Sequence, residues 1–317
     1  IDMPEKWQST QTAVSPDGRL VAQKAYEQLK KEVDGRPWYW AESRGIVVHE
    51  TATGKRVLTL PVEECGPMAF TPDGRGLVVT GPEGITRWDL AAQKSVVRRK
   101  VPGPFVGYYG YSFASSLAVF PDGTKAVTGH IDTSALVWDL TPPARTAKKL
   151  SERDRTTAWD DLAGENAAKA YAGIWALADA PADAVPFLRG RLKPAAAPTE
   201  DEVRKLVARL DAPAFAQREA AAAAIRELGD AATPALRAVL KGGLSAEQAG
   251  RVDRLVAEAE APVLPPGERL RRLRAVAALE WAGSADARKL LRELASGTTA
   301  DRSTREAAAA IRRLEGR

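Results

Sequence analysis

The stretch AFTPDGRGLVVTGPEGITRWDL, residues 69–90, contains the pattern that decides the fold. It holds a Pro-Asp-Gly turn at residues 72–74, the apolar run GLVVT, and a Trp-Asp pair at residues 88–89. Proline presets φ, glycine accepts a positive φ, and aspartate bonds to its own backbone, so the tripeptide predicts a tight turn between two short strands. The stretch is either a catalytic turn or one unit of a scaffold. Whether it recurs along the chain decides between these two interpretations.

The unit occurs three times in the first half of the chain. VSPDGRLVA at residues 14–22 and FPDGTKAVT at residues 120–128 repeat the turn, and ALVWDL at residues 135–140 repeats the strand that ends in Trp-Asp. From Asp73 to Asp89 is 16 residues, and from Asp122 to Asp139 is 17. A fixed period predicts a repeated structural unit rather than a catalytic site. The residues assigned to this structural repeat are Asp17, Asp73, Trp88, Asp89, Asp122, Trp138 and Asp139.

These units resemble the blades of WD40-repeat β-propellers, in which each blade is a four-stranded antiparallel sheet. The resemblance implies that Trp88 and Trp138 pack between neighbouring blades and that the following aspartates end their strands at a solvent-exposed edge. The Gly-His dipeptide of the family is missing from the start of each unit, and His130 lies on a turn. We therefore expect the family's buried Asp-His-Ser/Thr-Trp network to be absent. Since about four to eight blades close a propeller, we also expect further blades upstream of Ile1.

The first copy of the unit is interrupted. VVHETATGK at residues 47–55 replaces the Trp-Asp strand end, and about 17 extra residues, close to KAYEQLKKEVDGRPWYW, precede it. We expect a long loop or small helix on one rim; alternatively, the insert is a partner-binding loop that presents Trp38, Tyr39 and Trp40. A second aromatic stretch, FVGYYGYSF, is either blade core or a binding surface. Its aromatic members are Phe105, Tyr108, Tyr109, Tyr111 and Phe113.

From about residue 150 the composition changes to Ala, Leu, Arg and Glu, with apolar residues three and four apart. This pattern predicts about ten short helices. Phe215, Ile225 and Leu228 are placed along one predicted helix. Three helix starts have capping-box spacing: Thr199 with Glu202, Ser245 with Gln248, and Ser303 with Glu306.

The unit REAAAAAIRELGDAATPALRAVL at residues 218–240 resembles a HEAT-type repeat, and a related helical pair follows it. The resemblance implies a short α-solenoid of stacked helical hairpins. Blades followed by such helices also resemble large planctomycete WD40-repeat proteins of unassigned activity. We therefore expect a multidomain β + α chain: partial WD40-type propeller blades over residues 1–144, a linker and helical hairpin over 145–198, and HEAT-like repeats over 199–317.

Composition argues against several kinds of chemistry. The 317 residues carry a net charge of +5, two histidines and a single cysteine, so an intrachain disulfide is excluded and a thiolate metal cluster cannot form. His49 and His130 occupy non-equivalent positions, and no nucleophile-elbow motif is present. Glu63 and Glu64 precede Cys65 and would raise the pKa of its thiol. We expect no catalytic residue, no cofactor and no metal site. Apolar runs are shorter than the roughly 20 residues of a membrane-spanning helix. The sequence is compatible with more than one cellular compartment.

Basic charge is concentrated in the second half. The first 144 residues carry 16 basic and 16 acidic side chains, so all of the positive excess follows them. The densest basic cluster is ERLRRLR at residues 268–274, which contains Arg269, Arg271, Arg272 and Arg274. We expect a solvated helix face whose long stems cover apolar surface; alternatively, these arginines bind an acidic protein or a nucleic acid.

The sequence therefore favours a non-catalytic protein–protein interaction scaffold built from a propeller and a short α-solenoid. One alternative is nucleic-acid or polyanion binding through the Arg-rich helices, which predicts affinity that falls steeply with salt. Another is that this segment is the accessory domain of an enzyme whose active site lies upstream of Ile1.

Overall fold

Strands fill the first half of the chain and helices the second. The structure, a computed structural model, describes residue 4 and residues 6–34, 36–101, 114–144 and 146–316. It contains two compact units: residues 1–146 with 166–172, and residues 147–165 with 173–316. The aromatic stretch at residues 105–113 lies outside the described residues, so the expectation about Phe105, Tyr108, Tyr109, Tyr111 and Phe113 stays a prediction.

The strands form three antiparallel sheets. The first contains β1 (Trp7–Val14), β2 (Leu20–Val33), β3 (Arg36–Glu50) and β4 (Arg56–Leu60), paired in chain order. The second contains β5 (Met68–Phe70), β6 (Gly76–Gly81), β7 (Gly84–Asp89) and β8 (Lys94–Lys100), again in chain order. The third contains β9 (Ser116–Val119), β10 (Lys125–Gly129) and β11 (Ala135–Asp139).

The register of these sheets repeats with the sequence. Leu20 pairs with Glu50, Gly76 with Asp89, and Lys125 with Asp139, each at the same place in its unit. The three sheets therefore form a partial β-propeller. In the described residues the third sheet has no strand equivalent to β4 and β8, so it departs from the expected four strands.

The three Pro-Asp-Gly turns share one geometry. In each turn the glycine has a φ of 68° to 72° and its N–H donates to the carbonyl three residues earlier at 2.8 Å (Gly18, Gly74 and Gly123). The aspartate Oδ1 accepts from the N–H two residues later at 2.9 to 3.1 Å (Asp17, Asp73 and Asp122). In the third turn the backbone N–H and the hydroxyl of Thr124 both donate to Asp122, and these bonds lower the pKa of its carboxyl.

Ten α-helices follow in the described residues. They are α1 (Glu152–Ala163), α2 (Ala167–Asp179), α3 (Pro181–Arg191), α4 (Glu200–Ala208), α5 (Phe215–Leu228), α6 (Thr233–Leu240), α7 (Ala246–Glu260), α8 (Glu268–Ala282), α9 (Ala285–Ala295) and α10 (Arg302–Glu315). The capping boxes predicted at Thr199 and Ser245 are confirmed. The one predicted at Ser303 is wrong, because Asp301 caps α10 by accepting from the N–H of Thr304 at 2.9 Å. Aspartate caps a helix as well as serine does, and it comes first along the chain.

Helices α4 to α7 share one core. α4 packs against α5 and α6, and α7 packs against α6. The buried side chains include Val203, Val207, Ile225, Leu236, Val252 and Leu255. Phe215 lies on α5, as expected, but it is outside this core and 68% exposed. At 3.6 residues per turn, the ten residues from Phe215 to Ile225 place the two side chains about 80° apart around α5.

A second group of helices surrounds α8, which packs against α1, α9 and α10. α8 is buried on more than one side, and its buried residues include Leu270, Val276 and Leu279. The rings of Trp175 and Trp281 stack with centroids 4.2 Å apart and planes 7° from parallel. Stacked aromatic rings at this distance contribute beyond the area that they bury, so the pair helps to hold the α8 group together.

Candidate functional site

The insert in the first unit is an extended β-ribbon. β2 and β3 pair continuously from Leu20 with Glu50 to Val33 with Arg36, whereas β1 pairs with β2 only as far as Glu27. Residues 28–33 and 36–41 therefore project beyond the sheet as two strands, which we call the ribbon. The expectation of a long loop or small helix was wrong.

The turn of the ribbon explains this outcome. Only two residues separate the paired Val33 and Arg36, and Asp34 there has a φ of 50°. Asp-Gly at this position is a strong hairpin signal, because it suits a two-residue turn whose twist matches the flanking strands. The aromatic residues that follow favour strand as well. The sequence VDGR at residues 33–36 was the local signal that the reading as a loop overlooked.

The ribbon exposes Trp38, Tyr39 and Trp40. Their exposed fractions are 64%, 54% and 40%. Because side chains alternate along a strand, the two tryptophans lie on one face and the tyrosine on the other. Lys30 pairs with Tyr39, and its Nζ lies 5.8 Å from the centroid of the tyrosine ring. Both faces of the ribbon thus present aromatic surface to solvent.

A buried lysine supports the sheet next to the ribbon. Lys24 Nζ donates to Ser43 Oγ at 2.5 Å, to the Val62 carbonyl at 2.7 Å and to the Glu63 carbonyl at 2.5 Å. Burial lowers the pKa of Lys24. Burial also raises the pKa of the Cys65 thiol, and nearby Lys24 acts in the opposite sense. The raised pKa agrees with the expectation for Cys65, but its cause is burial and not the adjacent glutamates.

One position on the third strand of each unit is buried in all three sheets. Register places His49, Trp88 and Trp138 at this equivalent position. Trp138 Nε1 donates to Thr128 Oγ1 at 2.7 Å, and this hydroxyl lies 2.9 Å from His130 Nε2. The expectation that the family's network is absent is therefore corrected in part: in the third sheet the Trp, Thr and His members are linked. His130 reaches the network from the turn after β10, so a search for Gly-His at the start of the unit could not find it.

Replacing Thr128 with valine is expected to lower the free energy of unfolding by about 1–2 kcal/mol. Valine has nearly the same shape but no hydroxyl, so Trp138 Nε1 and His130 Nε2 each lose a hydrogen-bond partner. Val79 is the register equivalent of Thr128 in the second sheet, so valine fits a strand at this position. Denaturant unfolding followed by tryptophan fluorescence would measure the change. The control is Thr59→Val on the exposed surface of β4. Equal stability of the two variants would contradict a structural role for the network.

A buried arginine joins the second and third sheets. Arg87 Nη1 donates to the carbonyls of Gly123 at 2.5 Å and Leu140 at 3.2 Å. Burial lowers the pKa of Arg87, and the charges of Asp73 and Asp89 partly offset this effect. The sequence reading missed this residue.

The sequence nevertheless contained a signal that Arg87 is unusual. Val48 and Val137 occupy the equivalent strand position in the other two copies. Valine at this place indicates a position that tolerates an apolar side chain, so the charge of Arg87 was the unusual feature of the second copy.

The arginines at the start of α8 turn toward the protein. Arg269 Nη2 donates to Asp230 and, at 2.7 Å, to the Ala259 carbonyl. Arg271 Nη1 lies 2.7 Å from Glu268 Oε2, and its guanidinium is 5.0 Å from the ring centroid of Trp159. These two side chains thus have acceptors within their own unit.

The other two arginines of the cluster, Arg272 and Arg274, also donate to acceptors within the protein. Arg272 Nη2 donates to the Lys193 carbonyl at 2.7 Å. Arg274 is only 2% exposed, and its Nη1 donates to the carbonyls of Leu162 and Gly164 at 2.8 and 2.9 Å. The expectation of a solvated face is wrong for Arg274. The structure therefore does not bring the four arginines together as one exposed basic surface.

In the described part of the chain, no three His, Cys, Asp or Glu side chains gather in an arrangement that could hold a metal ion. No helix there has the length and apolar character required to cross a membrane.

Together, the repeated sheets and the helices that follow define a chain with a partial β-propeller and an α-helical module. No family model matches the chain. Over 71 residues it is 34% identical to a protein described as Methylosome protein WDR77 from Xenopus laevis. The match covers 22% of this chain and 20% of that protein, so the chain spans about one fifth of the relative it matches. The chain is thus similar to a WD-repeat protein over part of its length.

Proposed function

We propose that this chain is a non-catalytic protein–protein interaction scaffold that binds a protein partner through the ribbon. The observation that carries the proposal is the cluster of Trp38, Tyr39 and Trp40, three large aromatic side chains exposed on a ribbon that projects from its sheet. Tryptophan and tyrosine are enriched among the residues that dominate binding energy at protein interfaces.

Burial supports this role for the ribbon. Every residue from 36 to 42 is exposed, so these side chains contribute little to the core of the first sheet. Exposed single apolar residues are ordinary, whereas an adjacent group on one projecting element indicates a binding surface. The rigid sheet below, with Lys24 bonded to three acceptors, holds the base of the ribbon in place before a partner arrives. Such preorganisation reduces the entropy lost on binding.

The similarity to a WD-repeat protein supports the same class of function, although it covers a small part of each chain. We also propose the finer architecture: domain boundaries at residues 144 and 198, HEAT-like stacking of the helices over 199–317, and kinship with planctomycete WD40-repeat proteins. The Arg269, Arg271, Arg272 and Arg274 cluster is a weaker candidate for an acidic partner or a nucleic acid, because each guanidinium already bonds or pairs within the protein.

The triple variant Trp38→Ser, Tyr39→Ser, Trp40→Ser is expected to lose capture of the partner while the free energy of unfolding changes by no more than about 0.5 kcal/mol per site, because the side chains are exposed. The measurement is quantitative affinity capture from lysate of the native cells, compared between wild type and variant, alongside denaturant unfolding.

The matched control is Phe215→Ser, which removes an exposed aromatic side chain from α5. This variant should retain the proteins that the ribbon variant loses. The proposal fails if the ribbon variant captures the same proteins in the same amounts as wild type.

A further inference from the structure

A cleft in the helical unit gathers positive charge around a buried aspartate. The Asp230 cleft, of about 370 Å³, lies among the start of α6, the end of α7 and the start of α10. Its polar lining consists of Asp230, Thr233, Arg237, Glu260, Arg302 and Arg305. Neither the ribbon nor the scaffold proposal involves any of these residues.

The charges in and next to the cleft do not balance. Arg269, Arg302 and Arg305 all approach Asp230, and Arg237 pairs with Glu260 at 2.7 Å. Among the residues that line the cleft, three guanidinium groups thus face two carboxylates, which leaves one positive charge in excess, and Arg269 approaches Asp230 from outside the lining. In a partly buried site such an excess is poorly screened and attracts an anion.

Two of these guanidinium groups have room for a further acceptor. Arg305 Nη1 donates to the carbonyls of Thr299 and Ala300, but its Nη2 lies 4.0 Å from Asp230 Oδ2, beyond hydrogen-bond distance. Arg237 pairs with Glu260 through Nη2, and its side chain is more than half exposed. Arg302, in contrast, donates through both Nη atoms to the carbonyls of Ala261 and Pro262. Arg237 and Arg305 are therefore the available cationic groups.

Thr233 is the independent sign of a ligand. It is only 9% exposed, it lines the cleft, and its buried Oγ1 has no hydrogen-bond partner. A buried hydroxyl left without a partner is costly, so a missing acceptor is the simplest explanation. Thr233 is also the first residue of α6, where the helix dipole favours negative charge, although its own N–H already donates to the Asp230 carbonyl. Ion pairs to Asp230 explain how the helices are held together, but they leave Thr233 unexplained.

We propose that the Asp230 cleft binds a phosphate group, with the Thr233 hydroxyl, Arg237 and Arg305 as its donors. At pH 7 a phosphate monoester carries a charge of about −1.5 to −2 and offers three strong acceptor oxygens, which suits a cleft with an excess of positive charge and several donors. The planar guanidinium suits such oxygens because it can donate two parallel hydrogen bonds.

The test titrates the full chain with inorganic phosphate by calorimetry, in chloride buffer of constant ionic strength. A second arm uses a phosphoserine peptide and its unphosphorylated form. We expect saturable binding that Thr233→Val and Arg305→Gln each weaken by about tenfold, the usual effect of losing one hydrogen bond to a charged group. Arg204→Gln on α4, where the arginine forms exposed ion pairs with Glu200 and Asp201, is the matched control and should bind like wild type.

Thr233→Val separates binding from folding. Its hydroxyl has no partner to lose, so the free energy of unfolding should not fall. Tighter binding of the phosphopeptide than of free phosphate would assign the source to a modified protein, and equal binding would assign it to the free ion. The proposal is overturned if neither probe binds, or if both substitutions leave the affinity unchanged.

Discussion

Replacing Arg313 with alanine is expected to lower the free energy of unfolding by about 3–5 kcal/mol, because it removes the guanidinium that pairs with a buried carboxylate. Arg313 Nε and Nη2 donate to the two oxygens of Glu280 at 2.9 and 2.7 Å, and Nη2 also donates to Glu306 at 2.6 Å. Glu280 is 0% exposed. The hydrogen bonds from Arg313 to Glu280 raise the pKa of the guanidinium, so Arg313 stays charged. Denaturant unfolding would measure the loss.

Two further variants isolate the cause. Arg312→Ala removes the neighbouring exposed arginine of α10 and should change stability by no more than about 0.5 kcal/mol. In a Glu280→Gln background, Arg313→Ala should lower the free energy of unfolding by less than half as much, because the glutamine side chain left behind is neutral. An undiminished cost in that background would show that Arg313 acts through packing of its stem and not through its charge.

Replacing Arg87 with alanine is the second large effect. We expect the free energy of unfolding to fall by about 2–4 kcal/mol, because the carbonyls of Gly123 and Leu140 lose a buried charged donor and the side chain leaves a cavity. Unfolding followed by the fluorescence of Trp88 and Trp138, which are buried in the two sheets that Arg87 joins, would detect the loss.

Arg98→Ala provides the control for Arg87. Arg98 lies on β8 of the same sheet and is exposed, so its loss should leave stability within about 0.5 kcal/mol of wild type. Arg87→Met keeps most of the apolar stem, so its free energy of unfolding should lie between those of Arg87→Ala and wild type. If Arg87→Ala and Arg98→Ala unfold at the same denaturant concentration, Arg87 does not hold the two sheets together.

Much of the fold could be predicted because the deciding interactions are local. The Pro-Asp-Gly turns are closed by hydrogen bonds that span two or three residues, so three residue types in a row specify their geometry. The capping boxes at Thr199 and Ser245 are equally short-range. Where the prediction failed at Ser303, a competing local cap two residues earlier was the reason.

The candidate sites were less predictable. The trio Trp38, Tyr39 and Trp40 was found from its composition, but its placement on a ribbon followed from pairing of β2 with β3 that the expected loop did not include. Thr233 gave no sequence signal, because a threonine before a proline at a helix start is an ordinary residue. Only its burial without a partner, beside arginines from α6 and α10, marks it as unusual.

The sequence by itself determined the period of the sheets, the turns between their strands and most helix starts, since each depends on atoms a few residues apart. Only the tertiary structure decided the fate of the long cationic side chains. Arg87, Arg274 and Arg313 all end on acceptors more than 30 residues away along the chain. A flexible side chain can reach water or a distant carbonyl equally well, and which one it meets depends on the elements that the fold packs beside it.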